Sequence, residues 1–448
     1  MSQTTESSLS SEVCDVVVIG GGPAGSTVAA LLARQGRDVW MLEKSRHPRF
    51  HIGESLLPAN GPLFDRLGVR AEVERIGMAK WGVEFVSPQH ARPTVVDFSE
   101  ALDKTMPYAW HVRRSEFDEL LFRHAAGCGA RAVEGCHVRR VEFDADGADV
   151  HAVHDGRPRR WRARFVVDAS GRDTLLAQQL GVKQRNPRHN SAALFAHFQG
   201  AHRLAGGREG NISIFWFRHG WFWFIPLSDG STSVGAVCWP HYLKSRQQPL
   251  KEFFLATVAM SPGLAARLQG ATLIDDTVHA TGNYSYSASH ASGDRYLMLG
   301  DAYAFVDPVF SSGVYLAMAS AFEGAELVAT RLDQPQRFAA ARRHFEKHMR
   351  RGPRVFSWFI FRMTNPVLRH LFMEPRNFLR AKEAVMSVLA GDIFSRTPLA
   401  APLGVFKGVY YLNCLLQSAL TWRAWRARRL NIRDVGTLND ETIAVETR

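Results

Sequence analysis

The hydrophobic pattern of residues 14–44 changes period twice. Asp15–Ile19 is a β-branched run bounded by glycine, the pattern of a buried strand. Ser26–Gln35 carries helical spacing, and Val39–Leu42 is a second short strand. Helices are predicted over Asn60–Leu67 and Ala71–Ile76, and Met78–Val86 alternates as one strand with Lys80 near its start. Residues 93–112 read as strands with a loop, and Arg113–Ala126 as an amphipathic helix opening on Arg113, Arg114, Glu116 and Asp118. Turns at Asp144–Gly147 and Asp155–Gly156 separate short strands, and Phe165–Arg172 is a buried strand ending in a small-residue turn.

From about residue 179 to 284 the pattern is mainly β, with strands at Ala192–Gly200, Ile212–Phe217, Trp221–Pro226 and Ser231–Trp239. Leu250–Val258 and Pro262–Leu268 read as helices, Tyr296–Gly300 as another buried strand and Val314–Arg331 as a long helix. Residues 336–448 are predicted mostly helical, with breaks at Gly352-Pro353, Asn365-Pro366 and Gly391. No internal repeat or low-complexity segment interrupts this order.

Composition narrows the class. A chain of 448 residues can bury a large core and carry two or three domains. Its five cysteines are scattered without a C-x-x-C pair, which points to reduced thiols and to neither a disulfide framework nor a metal site. Met1–Val13 is polar and lacks the basic and apolar regions of a signal peptide, so residues 1–12 are expected to form a disordered tail. The longest apolar stretch, near 408–422, is too short to span a bilayer unaided. The expectation is a cytoplasmic protein with a surface that can touch membrane.

The net charge of +12, carried mostly by arginine, favours acidic partners. No nucleic-acid motif accompanies it, so nucleic acid is not expected as a partner. The segment Trp422-Arg423-Ala424-Trp425-Arg426-Ala427-Arg428-Arg429 suits either a lipid surface or an acidic carrier protein. An ordinary amphipathic helix packed on the core would read the same way.

The candidate chemistry starts at Gly20, Gly22 and Gly25, a Gly-x-Gly-x-x-Gly set between strand and helix, with Glu43 closing the next strand. Such glycines let backbone approach a pyrophosphate whose charge sits on the helix N-terminus, and the acid can accept from a ribose hydroxyl. An ADP-containing cofactor follows. Ser312 and Gly313, in Pro308–Gly313, can present backbone N–H groups to an anion or simply cap the helix behind them. Trp221–Pro226 is compatible with a core strand, and Lys80 with a surface lysine at a strand end.

Together these segments resemble the flavin-dependent halogenases, within the larger group of FAD-dependent aromatic hydroxylases and reductases, over roughly residues 13–400. By this resemblance FAD is held by Gly20, Gly22, Pro23, Ala24, Gly25, Glu43, Arg114, Asp168, Gly171, Asp301 and Gly313. Asp301 would bind the ribityl chain, and Arg114 would lie beside the cofactor. Trp221, Trp223, Ile225 and Pro226 match the family's W-x-W-x-I-P segment, which separates flavin from substrate. Lys80 falls at the catalytic lysine, after the Gly53–Ser55 element, and Ser312 and Gly313 at the halide site. Phe310 stands where members acting on free tryptophan have glutamate, which resembles instead the phenol and pyrrole enzymes.

The resemblance implies an α/β protein: a Rossmann-like FAD-binding domain over 13–80, 107–178 and 285–340, a β-sheet substrate domain over 81–106 and 179–284, and a helical region over 341–448. The implied activity is chlorination or bromination of an electron-rich aromatic, free or carrier-tethered, using FADH2 from a separate flavin reductase, oxygen and halide. Hypohalous acid and Lys80 would carry the halogen to the ring in secondary metabolism. A flavin hydroxylase, a polyprenyl-type reductase and a non-catalytic flavoprotein scaffold are the rival readings. Chloride against bromide and the oligomeric state are open at this point.

Overall fold

Two sheets organise the protein in the computed structural model, which describes residues 11–282, 285–395 and 397–433. The tail expected over residues 1–12 lies outside the described residues as far as residue 10. Ser11 and Glu12 already belong to the first strand, Ser11–Ile19, because the long strand Arg157–Asp168 offers them partners from Arg160 onward.

The first sheet runs Arg131–Val133, Val39–Leu42, Ser11–Ile19, Arg157–Asp168, Ala148–His154, Cys136–Phe143, with Tyr296–Met298 also paired to Arg157–Asp168. Its central strands are parallel, and the stretches Val16–Ile19 and Phe165–Val167 are buried on both faces, which explains their unbroken apolar runs. Helices Pro23–Arg34 and Gly313–Asp333 pack together over it.

The second sheet runs Thr272–Leu273, Ala192–Gln199, Ser231–Cys238, Gly220–Pro226, Ile212–Phe217, Gly82–Val86, Thr94–Asp97. Both of its faces are buried. Phe215, Phe217, Phe222 and Phe224 face a separate core built with helix Leu250–Ala259, while Ile212, Ile214, Trp221 and Trp223 join the main core. Period-two alternation here sorts apolar residues between two cores rather than between core and water.

Two expectations are corrected. Met78–Val86 is not one strand. Met78–Lys80 pairs with Ala109–His111 in a two-stranded sheet, and Gly82–Val86 enters the large sheet. Between them the N–H groups of Trp81 and Gly82 both donate to Asn211 Oδ1, at 3.0 and 2.8 Å, so two consecutive amides leave the ladder. The second correction concerns Gly352-Pro353, where helix Phe338–Ile360 continues without a break. A Cβ at Gly352 would lie 2.4 Å from Leu316 Cδ2, so this glycine lets two helices close on each other. The breaks at Asn365-Pro366 and Gly391 are present: Asn365 caps helix Pro366–Met373, and Gly391 takes a left-handed φ of +88°.

Among the described residues, no helix is long and apolar enough to cross a membrane.

Candidate active site

The first strand delivers the chain into a cavity of about 1050 Å³. Gly20 has φ +101°, and a Cβ there would lie 2.4 Å from the Ala169 carbonyl oxygen. A Cβ at Gly25 would lie 1.9 Å from the Gly20 carbonyl oxygen, so Gly25 serves helix–strand packing and does not line the cavity. Gly22, Pro23 and Ala24 do line it. The helix they open has no side-chain cap and no acid in its first turn, which leaves its N-terminal N–H groups without a side-chain acceptor beside the cavity-lining Ala24.

The acids and the arginine divide into contact and support. Glu43 lines the cavity while its carboxylate accepts from Gly21 N (2.7 Å) and Ser45 N (2.9 Å). Arg114 also lines it, locked by two bonds to Asp118 (2.8 and 2.9 Å) and one to the Ile52 carbonyl (2.7 Å). Asp168 is fully buried and lies behind the wall. Its oxygens accept from Ser170 N and Leu176 N, and so shape the turn that brings Gly171 to the cavity. Asp301 lines the cavity with its carboxyl pushed up to about 6 by burial, as suits an acid awaiting hydroxyl donors.

This donor set fits FAD. Glycine-lined backbone and an uncapped helix suit a pyrophosphate, and carboxylates at Glu43 and Asp301 suit sugar and ribityl hydroxyls. The apolar surfaces of Trp221, Trp223 and Ile225 at the far end suit a planar ring system.

Lys80 lines a second, much smaller cavity of about 20 Å³, together with Phe98, Ile214, Phe310 and Leu389. That is room for one water-sized group. The two cavities share Ile212, Val309 and Ser311 as their common wall. Lys80 is only 1% exposed. Its Nζ donates to Ser55 Oγ at 2.9 Å and to the Leu56 carbonyl at 2.7 Å, with the Phe98 ring centre 5.2 Å away. Burial lowers its pKa to about 7. His111, fully buried on the strand paired with Lys80, is pushed well below the usual imidazole range by burial and by Lys80.

Trp221, Trp223 and Ile225 alternate along Gly220–Pro226 and present one face to the large cavity; Pro226 ends the strand without lining it. Trp223 Nε1 donates to Ser233 Oγ at 3.1 Å, and its ring lies over Gly235, where a Cβ would sit 2.2 Å from it. Phe310 packs against Phe359, with ring centres 5.9 Å apart.

The loop before helix Gly313–Asp333 is pinned by Asp307. Its carboxylate accepts from His189 Nε2 (2.8 Å), Ser191 Oγ (2.9 Å) and Val309 N (3.1 Å). Ser311 is left-handed (φ 54°), and Ser312 makes no side-chain cap bond. Gly313 lines the large cavity, whereas Ser312 is buried and lines neither.

Several site residues carry no motif-strength signal of their own. Ser55 accepts from Lys80 Nζ, Asn211 holds the backbone of Trp81 and Gly82 just after it, and Ser311 lies in the shared wall. Glu54, at the large cavity, accepts from His197 Nε2 at 2.7 Å. Arg49 bridges toward Glu43 and Asp118. Only Glu54 and Ser55, inside the Gly53–Ser55 element, were reachable from a pattern. Away from the site, His90, His370 and Glu374 bring ligand atoms within 4.8 Å of one another at the surface, with Arg369 holding Gln89 beside them.

A family model described as an FAD binding domain matches residues 13–338. A flavin-dependent halogenase of Armillaria mellea is 35% identical over 341 residues, covering 70% of this chain and 67% of the relative. The chain belongs to the flavin-dependent halogenases. A 1H-pyrrole-2-carbonyl-[peptidyl-carrier protein] chlorinase of Pseudomonas fluorescens is 30% identical over 407 residues, covering 85% of this chain and 90% of that one. A tryptophan 2-halogenase of Chondromyces crocatus is 34% identical over 362 residues, covering 77% and 67%. The structure of the myxobacterial chondrochloren halogenase is similar with a TM-score of 0.75 at 32% identity, covering 87% of this chain and 92% of that one. This halogenase therefore binds FAD and carries out flavin-dependent halogenation of aromatic substrates.

Proposed function

We propose that this halogenase chlorinates or brominates an electron-rich ring, a phenol or a pyrrole, by passing halogen from hypohalous acid to Lys80 and from Lys80 to carbon. The observation that carries the reading is Lys80 itself: buried with no acidic partner among the described residues, lowered to about 7, and one shared wall from the large cavity. When bound in reduced form, FAD supplies with oxygen the two-electron oxidation of halide to hypohalous acid. Gly20, Gly22, Glu43, Arg114 and Asp301 would hold it.

Halide would sit at the backbone N–H groups of Ser312 and Gly313, reached from the large cavity through Gly313 and Ser311 since Ser312 itself does not line it, where left-handed Ser311 and an uncapped helix N-terminus converge. Neutral Lys80 has two N–H bonds, both already donated to Ser55 and Leu56, so its lone pair is the unclaimed site. That lone pair takes the halogen from hypohalous acid while one N–H proton leaves with the hydroxide as water, and the ring then takes the halogen from nitrogen and its displaced proton restores the amine. Confinement keeps the oxidant from bulk water. The lone Gly-x-Gly-x-x-Gly supports delivery of reduced FAD by a separate reductase.

Phe310, apolar and against the Lys80 cavity, favours phenols and pyrroles over free tryptophan, and the carrier-bound pyrrole named for one relative makes tethered substrates part of the reading. The test incubates the protein with FAD, a flavin reductase, NADH, oxygen, bromide and a panel of phenols, carrier-bound pyrroles and tryptophan. A one-bromine isotope doublet on phenol or pyrrole is expected. Hydroxylated product independent of halide would overturn the reaction, and bromotryptophan alone would overturn the substrate class.

A further inference from the structure

The last two described helices, Ala400–Leu416 and Ser418–Arg433, leave large apolar side chains in water. Leu412, Leu415 and Leu416 occupy i, i+3 and i+4 on the first, with Leu415 74% and Leu416 75% exposed. Leu420, Trp422, Trp425 and Leu430 are exposed on the second. Residues 400–433 contain no aspartate or glutamate, and six basic residues: Lys407, Arg423, Arg426, Arg428, Arg429 and Arg433. Guanidinium groups lie over the tryptophans, Arg426 at 5.4 Å from the Trp422 ring and Arg429 at 4.6 Å from Trp425.

This is not a loose tail. Phe406 and Tyr410 are buried against Phe359 and Trp358, with ring centres 6.0 and 5.3 Å apart. Arg428 donates to the carbonyls of Phe361 and Arg188. The body of the enzyme holds the apolar and basic faces outward.

We infer that this helix pair is a docking surface for a bilayer bearing anionic headgroups. A cluster of projecting leucines needs an apolar phase, and a lipid surface supplies one without shape complementarity. Tryptophans flanked by arginines match the headgroup level, where indole is half solvated and guanidinium meets phosphate. The exposed Arg423, Arg426 and Arg429, with no acid in residues 400–433, select an anionic surface. With no described helix able to cross, the pair lies on the membrane. From there, Phe406, Phe359 and Phe310 form a run of packed rings reaching the Lys80 cavity. The inference does not depend on the halogenation chemistry.

The test is co-sedimentation of the full chain with phosphatidylcholine vesicles, with and without about three parts in ten phosphatidylglycerol. Pelleting with the anionic vesicles is expected, falling with added salt and with phosphatidylcholine alone, together with a blue shift of tryptophan emission. Leu415→Glu/Leu416→Glu and Arg423→Glu/Arg426→Glu should each cut the bound fraction about tenfold at unchanged FAD content. Leu255→Glu, at an exposed leucine elsewhere, should bind as before. Wild-type protein that stays in the supernatant with both vesicles overturns the inference. So does pelleting unaffected by the Leu415 and Arg423 variants, or a lipid-free dimer that those variants abolish.

Discussion

At Lys80 the protein buries an amine that, among the described residues, bonds to a hydroxyl and a carbonyl and to no acid. Burial lowers the amine's pKa to about 7 and so favours the neutral form above that pH. If the lone pair is the reacting group, as proposed, halogenation should rise with pH through about 7, and the check is a pH–rate profile of product formation. A rate that falls across that range would mean the ammonium acts. Gly235 is the second position where a single atom decides. Gly235→Ala puts a methyl into the Trp223 ring, and we expect a loss of about 1–3 kcal/mol in urea unfolding. Lys80 was legible only through its place in a family pattern. Nothing local in AKWG announces burial, which is supplied by Ser55, Phe98 and Phe310 from elsewhere in the chain.

Elements show why some of the fold could be read and some could not. The fingerprint and the tryptophan strand were legible because period and turn chemistry are local. The break at Trp81 was not, because the acceptor that makes it, Asn211, lies 130 residues away. The same holds at Gly352-Pro353, where a neighbouring helix decides the outcome. Asn211→Ala should leave the two N–H groups of Trp81 and Gly82 unpaired, costing about 1–3 kcal/mol for each one that stays buried. Halogenation should fall while FAD binding, which uses other elements, is kept; flavin fluorescence quenching and product assay separate the two. The loop that bears Ser312 and Gly313 depends likewise on distant partners, since His189 and Ser191 hold Asp307.

Across the whole molecule, two sheets bring two cavities against one wall. The larger is lined by Gly20, Gly22, Glu43, Arg114, Asp301 and Gly313, with Gly25 and Asp168 behind its wall, and the smaller presents Lys80 with room for a water-sized group. Charge and composition announced the basic, apolar C-terminal helices, but not that they would stand outward from the body. On the proposed reading, the separation of the cavities would make halide oxidation and ring halogenation distinct events within one protein. The most direct measurement compares them in Lys80→Met, supplied with FAD, reductase, oxygen and bromide. A scavenger would report free hypobromous acid, and mass spectrometry would report brominated ring. The account predicts that the variant still produces the oxidant and loses the organobromide. Undiminished ring bromination in Lys80→Met would contradict it.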